Sequence, residues 1–308
     1  MDRFTKKFAQ IVPSIRDMDR EALEKQKLCG QRKVVEIGGR SVETFWHRAV
    51  YSDAPLLLEL HGGGMVLGYA AANDALRQVA ADITGATVVG VDYCIAPEYP
   101  YPMAIEEIAA LIYEIDLHPE KYGIAPKKLA IMGFSGGANL AVAVAMRRNS
   151  YRGRHVDALL LHYPIVDLAT EPSDKPPQDD ALPDEVCKAF NELYCGDADP
   201  RDPYISPLFA DESLLKLLPS SVIVAAEHDG LAAEGTIFAE KLRALGTDAR
   251  FTCTPEVSHG YIEDYYNPGI YAVRGGKPEG QRYETFMKHA QQAYEASLKE
   301  LKVLLGEQ

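Results

Sequence analysis

No stretch of this sequence approaches the run of about 18 consecutive apolar residues that a membrane-spanning helix requires. The opening segment, MDRFTKKFAQIVPSIRDMDREALEKQK, has no uninterrupted apolar core of the kind that marks a secretory leader. Cysteine is scarce. The five residues Cys29, Cys94, Cys187, Cys195 and Cys253 are odd in number and scattered, with no Cys-x-x-Cys pair and no histidine at zinc-site spacing. These absences argue against a disulfide framework and a zinc centre, and the expectation is a cytoplasmic protein with reduced thiols. Basic charge is also in deficit, with 32 Lys and Arg against 45 Asp and Glu for a net charge of −13. The average field therefore repels phosphate backbones and anionic lipid headgroups, and nucleic acid is not an expected partner. Internal repeats and low-complexity tracts are missing as well.

What is present is the composition of an ordinary globular chain, 47% hydrophobic and 25% charged. At 308 residues the chain is near the upper limit for one hydrophobic core. One domain with a small appendage is expected. Two helical patterns open it, near 3–11 and 17–28, and Gly30 reads as the stop signal of the second. The runs RKVVEI and SVETFWH bracket Gly38 and Gly39 as a β-hairpin. Apolar runs then alternate with helical patterns. The runs fall at 56–60, 87–91, 129–132, 158–161, 222–226 and 250–253, and the helices near 73–84, 103–116, 137–148, 184–194, 232–245 and 280–304. This rhythm predicts an α/β fold, a mostly parallel central sheet with helices on both faces, in which ligands bind beyond the carboxyl ends of the strands. The proline-bearing stretch 169–185 is long for a strand-to-helix connection and reads as a surface loop or a flap.

The loops that follow strands carry the chemistry. Gly133, Ser135 and Gly137 form Gly-x-Ser-x-Gly between a strand and the helix-like run ANLAVAVAMRR. A sharp strand-to-helix turn crowds the backbone, which explains the small residues, and the helix N-terminus aims free N–H groups at the serine. An oxyanion formed by attack of Ser135 needs prearranged donors, each worth roughly 10² to 10³ in rate. One is the Gly136 N–H, and the loop His61-Gly62-Gly63-Gly64, directly after the run 56–60, is the source of the others.

Serine attacks only when a base takes its proton, and the base needs a carboxylate to orient it. In this architecture the acid and then the histidine follow the serine. His155, His162, His228, His259 and His289 lie beyond it. His259, in PEVSHGY just after the last strand-like run, is the best-placed base. Asp229, one step into the loop after 222–226, is the preferred acid, with Glu227 as the fallback.

Taken together, these residues resemble the hormone-sensitive lipase-like esterases of the α/β-hydrolase fold. The likeness runs in order through HGGG at 61–64, VDYCIAPEYPYP at 91–102, the elbow at 133–137, DPRDPYISPL at 199–208, AAEHDGLAAEG at 225–235 and HGY at 259–261. The resemblance implies Ser135 as nucleophile, His259 as base and Asp229 as its orienter. It implies an oxyanion hole of the Gly63, Gly64 and Gly136 N–H groups, with His61 and Glu98 as loop supports. By the same likeness residues 1–34 are a helical cap and 35–308 the catalytic domain.

The chain departs from the family in several places. The elbow reads GFSGG where the family has GDSAG, which is similar to esterases that act on acetylated sugars. HDGLAAEG lacks the family's proline and one acid. The segment after His259 is long and rich in tyrosine, with Tyr261, Tyr265, Tyr266, Tyr271 and Tyr283 as packing residues or as an aromatic wall for a sugar or aryl group.

The reading is a serine carboxylesterase acting on short- to medium-chain acyl esters through an acyl-enzyme, with no cofactor and no metal. Its expected partner is a small-molecule ester substrate, with a homodimer left open. The alternatives are an acetyl esterase for acetylated sugars, an amide hydrolase, and a non-catalytic ligand-binding protein on the hydrolase fold.

Overall fold

The computed structural model describes residues 1–151, 155–176, 182–268 and 281–306. Its strands are β1 (Gln31–Ile37), β2 (Arg40–His47), β3 (Leu56–Leu60), β4 (Thr87–Val91), β5 (Leu129–Phe134), β6 (Ala158–His162), β7 (Ser220–His228) and β8 (Ala249–Ser258). Among the described residues they form one sheet in the order β1-β2-β4-β3-β5-β6-β7-β8. The pairs β1/β2 and β2/β4 are antiparallel and all the others are parallel. The helices are α1 (Arg3–Glu24), α2 (Asp74–Thr84), α3 (Met103–Leu117), α4 (Pro119–Tyr122), α5 (Gly136–Asn149), α6 (Asp184–Cys195), α7 (Glu212–Leu215), α8 (Ala232–Ala244), α9 (Tyr261–Tyr266) and α10 (Gln281–Leu304). No described helix is long and apolar enough to cross a membrane.

Both faces of the sheet are covered, which is why its strands read as unbroken apolar runs. Leu56, Leu58 and Leu60 of β3 point into one core layer with Ile105, Ile108 and Leu111 of α3, Leu140 and Val144 of α5, and Phe238 of α8. Leu57 points into the opposite layer, with Leu76 of α2 and Tyr294, Leu298 and Leu301 of α10. One residue in this apolar strand is an exception. Glu59 is fully buried, and a lone carboxylate there would be costly. Its oxygens accept from Asn73 Nδ2 at 2.7 Å and from Arg77 Nη1 at 2.8 Å, and Arg77 also donates to the Ala70 carbonyl at 2.6 Å. The strand is thus tied to α2 by charge as well as by packing.

Two helix expectations are corrected. The patterns near 3–11 and 17–28 belong to one helix, α1, with Pro13 inside it. Pro13 lies on the solvent face, where water can take the carbonyl left without its donor, so the helix continues through it. Gly30 is not the stop of that helix, which ends at Glu24. A Cβ at Gly30 would lie 2.5 Å from His47 Cε1, and the Cys29 and Gly30 N–H groups donate to Asp74 at 2.6 and 3.1 Å. Gly30 is needed for that close approach.

Burial raises the Asp74 carboxyl, but the His47 side chain, these two N–H groups and Arg77 outweigh it and hold the group at about 2, below its ordinary 3.8. A depressed carboxylate stabilises the fold above its unfolded-state value, and that contribution is lost as pH falls through about 2. Asp74→Asn should lower the urea midpoint at neutral pH, and the gap from the parent should narrow steadily as the pH is taken from 5 toward about 3. A gap independent of pH would assign the loss to packing.

Candidate active site

The order β4-β3-β5 makes the sheet reverse direction at β3, so the loops leaving β3 and β5 open a crevice between them at their carboxyl ends. Leu60 and Gly133 are register partners across this pair. The chain leaves β5 through Ser135, whose backbone sits at φ 52°, ψ −116°, a strained conformation held by its N–H bond to the His162 carbonyl at 3.0 Å. The turn folds tightly on itself and on the neighbouring strand. A Cβ at Gly133 would fall 2.4 Å from the Gly137 carbonyl oxygen, and one at Gly137 would fall 2.2 Å from that of Leu60. The two outer glycines of the motif are therefore steric requirements.

Three predicted residues come together by hydrogen bonds. Ser135 Oγ lies 2.9 Å from His259 Nε2, and His259 Nδ1 lies 2.8 Å from Asp229 Oδ2. Asp229 Oδ1 accepts the Leu231 N–H at 3.0 Å, which fixes the carboxylate in its loop. Glu227 is not part of this chain. It is exposed and accepts the Glu256 N–H at 2.8 Å. The other histidines lie elsewhere. His162 is fully buried beneath the elbow, stacked on Phe134 at 4.7 Å, and burial pushes its pKa down to about 3, so it is neutral. His289 bonds the Pro255 carbonyl at 2.9 Å on an exposed face of α10, His228 pairs with Ser258 at the end of β7, and His155 is exposed before β6.

Gly136 opens α5, so its N–H is among those a helix leaves without an internal partner. Its Cα faces the glycine loop, and a Cβ there would lie 3.0 Å from both the N and Cα of Gly64 and 2.4 Å from Met65 Sδ. Gly63 and Gly64 hold positive φ of 113° and 62°, and the Gly63 carbonyl accepts the Val66 and Leu67 N–H groups at 3.1 and 2.8 Å. His61 stacks on Tyr93 at 4.2 Å, with its Nδ1 2.7 Å from the Gly62 carbonyl, and the Tyr93 hydroxyl donates to the His61 carbonyl at 2.7 Å. Glu98 pairs with Arg16 of α1 at 2.7 Å. The same guanidinium donates to the Val66 carbonyl at 2.7 and 2.9 Å and to the Ala96 carbonyl, clamping α1 to the glycine loop.

Sequence reasoning did not single out several residues that shape the site. Phe8 and Val12 of α1 pack with Ala189 and Leu193 of α6, and Phe190 of α6 lies over the glycine loop, 2.7 Å from where a Gly64 Cβ would be. In sequence, Phe190 is only one apolar position of an amphipathic helix. Phe134, the unusual elbow residue, points away from the crevice into the core beside Tyr163 and Tyr294. Tyr261 is buried with its hydroxyl 2.8 Å from Thr254 Oγ1, while Tyr265 and Tyr266 pack toward α10. These are packing residues, and Tyr271 and the Tyr283 side chain lie outside the described residues. Of the stretch 169–185, residues 177–181 lie outside them too. The part before is anchored by Lys175 Nζ, which donates to Glu234 and to the Asp167 carbonyl, each at 2.6 Å. Burial pushes the Glu234 carboxyl up to about 7 against the pull of Lys175.

A strand-to-helix serine, a later aspartate and then a histidine at the carboxyl edge of a mostly parallel sheet define the α/β-hydrolase class. Residues 57–263 match the profile of a family described as alpha/beta hydrolase fold. The chain is 32% identical over 229 residues to the carboxylesterase NlhH of Mycobacterium tuberculosis, covering 72% of this chain and 70% of that protein. It is 30% identical over 242 residues to an acetyl esterase of Salmonella schwarzengrund, covering 76% and 74%. Among solved structures, a hyperthermophilic esterase from the archaeon Pyrobaculum calidifontis superposes with a TM-score of 0.77 at 25% identity, covering 98% of this chain and 92% of that one. A thermostable esterase from Pseudomonas putida gives 0.78 at 25% identity, covering 99% and 97%. The chain belongs to this α/β-hydrolase family.

Gly136→Ala should displace the glycine loop, because the added methyl meets both Met65 and the Gly64 backbone. The expected loss in kcat toward an aryl acetate is about tenfold or more. Met65→Ala in the same chain should recover part of it, and an unchanged kcat in Gly136→Ala would show that the loop yields freely.

Proposed function

We propose that this protein, a carboxylic ester hydrolase, cleaves short- to medium-chain acyl esters through a covalent acyl-enzyme on Ser135. His259 acts as general base and acid, and Asp229 as the group that orients it. The observation that carries this reading is the continuous hydrogen-bond chain from Ser135 through His259 to Asp229. Asp229 is acceptor-only when ionised, so the His259 proton sits on Nδ1 and leaves the Nε2 lone pair for the serine hydroxyl. As Oγ bonds the acyl carbon, the proton moves to Nε2, and the nearby carboxylate stabilises the imidazolium. The oxyanion settles against the N–H groups of Gly63, Gly64 and Gly136. His259 then protonates the departing alkoxide, and a water activated by the same nitrogen releases the acid.

Residues 1–34, with α6, act as the cap over the acyl pocket. Phe190 packed on Gly64 limits the room beside the oxyanion and favours small acyl groups. Relatives named as a carboxylesterase and an acetyl esterase fit that range.

Ser135→Ala should lower turnover of an aryl acetate by roughly 10⁴-fold, as removal of a triad member does elsewhere, and should abolish labelling by a fluorophosphonate. A variant within about tenfold of the parent would reject the nucleophile assignment. Asp229→Asn should be severe and Glu227→Gln mild in the same assay; the reverse would move the orienting role to Glu227. Phe190→Ala should shift the best aryl ester toward longer chains, by about tenfold in the ratio of kcat/KM for octanoate over acetate. An unchanged ratio would place the chain-length limit elsewhere.

A further inference from the structure

We propose that Glu263, acting through the hydroxyl of Tyr163, is a positioning residue that holds the His259 ring in the plane needed for proton transfer. The inference rests on the reading of His259 as the base and adds a support on the ring face that Asp229 does not reach.

Glu263 lies in α9, one helical turn after His259, and is 1% exposed. Gly260, at φ 78°, turns the chain sharply from β8 into that helix, and the carboxylate lies in the interior instead of pointing to solvent. A buried carboxyl is costly, and it persists where hydrogen bonds hold it. The Tyr163 hydroxyl donates to Glu263 Oε2. Tyr163 is itself over-determined. It follows β6 with φ at 37°, a region tyrosine rarely enters, and its N–H donates to the Val224 carbonyl at 2.6 Å. Its ring meets the His259 ring at 5.0 Å with an interplanar angle of 64°. On the other side, a Cβ at Gly62 would lie 2.8 Å from Glu263 Oε1 and 3.7 Å from Ser135 Cβ. The carboxylate thus occupies the space that glycine leaves open in the oxyanion loop, directly behind the serine.

The chemistry explains why such a wall is useful. Bonds at Nδ1 and Nε2 fix the imidazole along one axis but leave it free to tilt about that axis. Once Ser135 Oγ has bonded the acyl carbon, Nε2 carries the proton and its hydrogen bond must shift from Oγ to the leaving oxygen, while the Nδ1 bond to Asp229 stays in place. Tyr163, locked by Glu263, blocks the tilt while the proton passes to the leaving alcohol. Misplacement of a catalytic group on the ångström scale is enough to slow such a step by about tenfold to a hundredfold.

Steady-state kinetics on an aryl acetate, with fluorophosphonate labelling rates and thermal melts, test the proposal. Tyr163→Phe and Glu263→Leu should each lower kcat and the labelling rate by about tenfold, with KM within about twofold. The double variant should be no slower than the slower single one, because one device has been removed twice. Glu263→Gln, which keeps an acceptor for the phenol, should recover most of the loss seen in Glu263→Leu. A parental kcat in Tyr163→Phe, multiplicative losses in the double variant, or a loss carried by KM would each overturn the proposal. In those cases an inactive His259→Ala leaves the assignment of the base standing, whereas an active one removes both.

Discussion

The site depends on the parallel pairing of β3 with β5, which places Leu60 opposite Gly133. The glycine loop leaves one strand and Ser135 leaves the other, so the spacing between that loop and the serine is set by the ladder itself. Close contact between the two loops then refines it. Gly137 rests on the Leu60 carbonyl and Gly136 on Gly64, and a single methyl at either would force backbone apart. Asp229 and His259 arrive from farther away, since β7 and β8 are separated from β5 by β6. Their parallel ladder brings the loops of Asp229 and His259 to the same edge of the sheet.

Around this frame the chain uses buried and partly buried polar groups as fasteners. Glu59 and Arg77 tie β3 to α2, Arg16 clamps α1 to the glycine loop, and Glu234 collects the Val166 N–H and Lys175 beneath the connection to α6. Each is a polar group at least partly withdrawn from water whose partners lie on another element, and for the fully buried Glu59 and Arg77 breaking the partnership leaves the remaining group to bear its desolvation penalty. The site is therefore held by directional contacts as well as by the hydrophobic layers on both faces of the sheet.

Much of this was legible in sequence because it is local. Strand runs such as 56–60 and 87–91 coincide with the strands found, since burial on both faces leaves a continuous apolar signal. The elbow was readable because its pattern sits between a strand run and a helix run, and because Gly133 answers a steric need within five residues. Helix boundaries at the N-terminus were not. Pro13 weakens the local signal for a helix that packing of Phe8 and Val12 on α6 sustains. Phe190, Arg16, Tyr163 and Glu263 were silent for a similar reason, because what each does depends on a partner scores of residues away.

By itself, then, the sequence determined the fold class, the turn that presents Ser135, and the short set of acids and histidines eligible to serve it, through periodicity, turn sterics and chain order. Only the tertiary structure brings Asp229 and not Glu227, two residues before it, into hydrogen-bond contact with His259. Side chains alternate along a strand, so separation in sequence leaves both in reach of the same region. It is the bulge between Ala226 and His228 and the Leu231 N–H on Asp229 that turn one carboxylate to His259 and leave the other on Glu256.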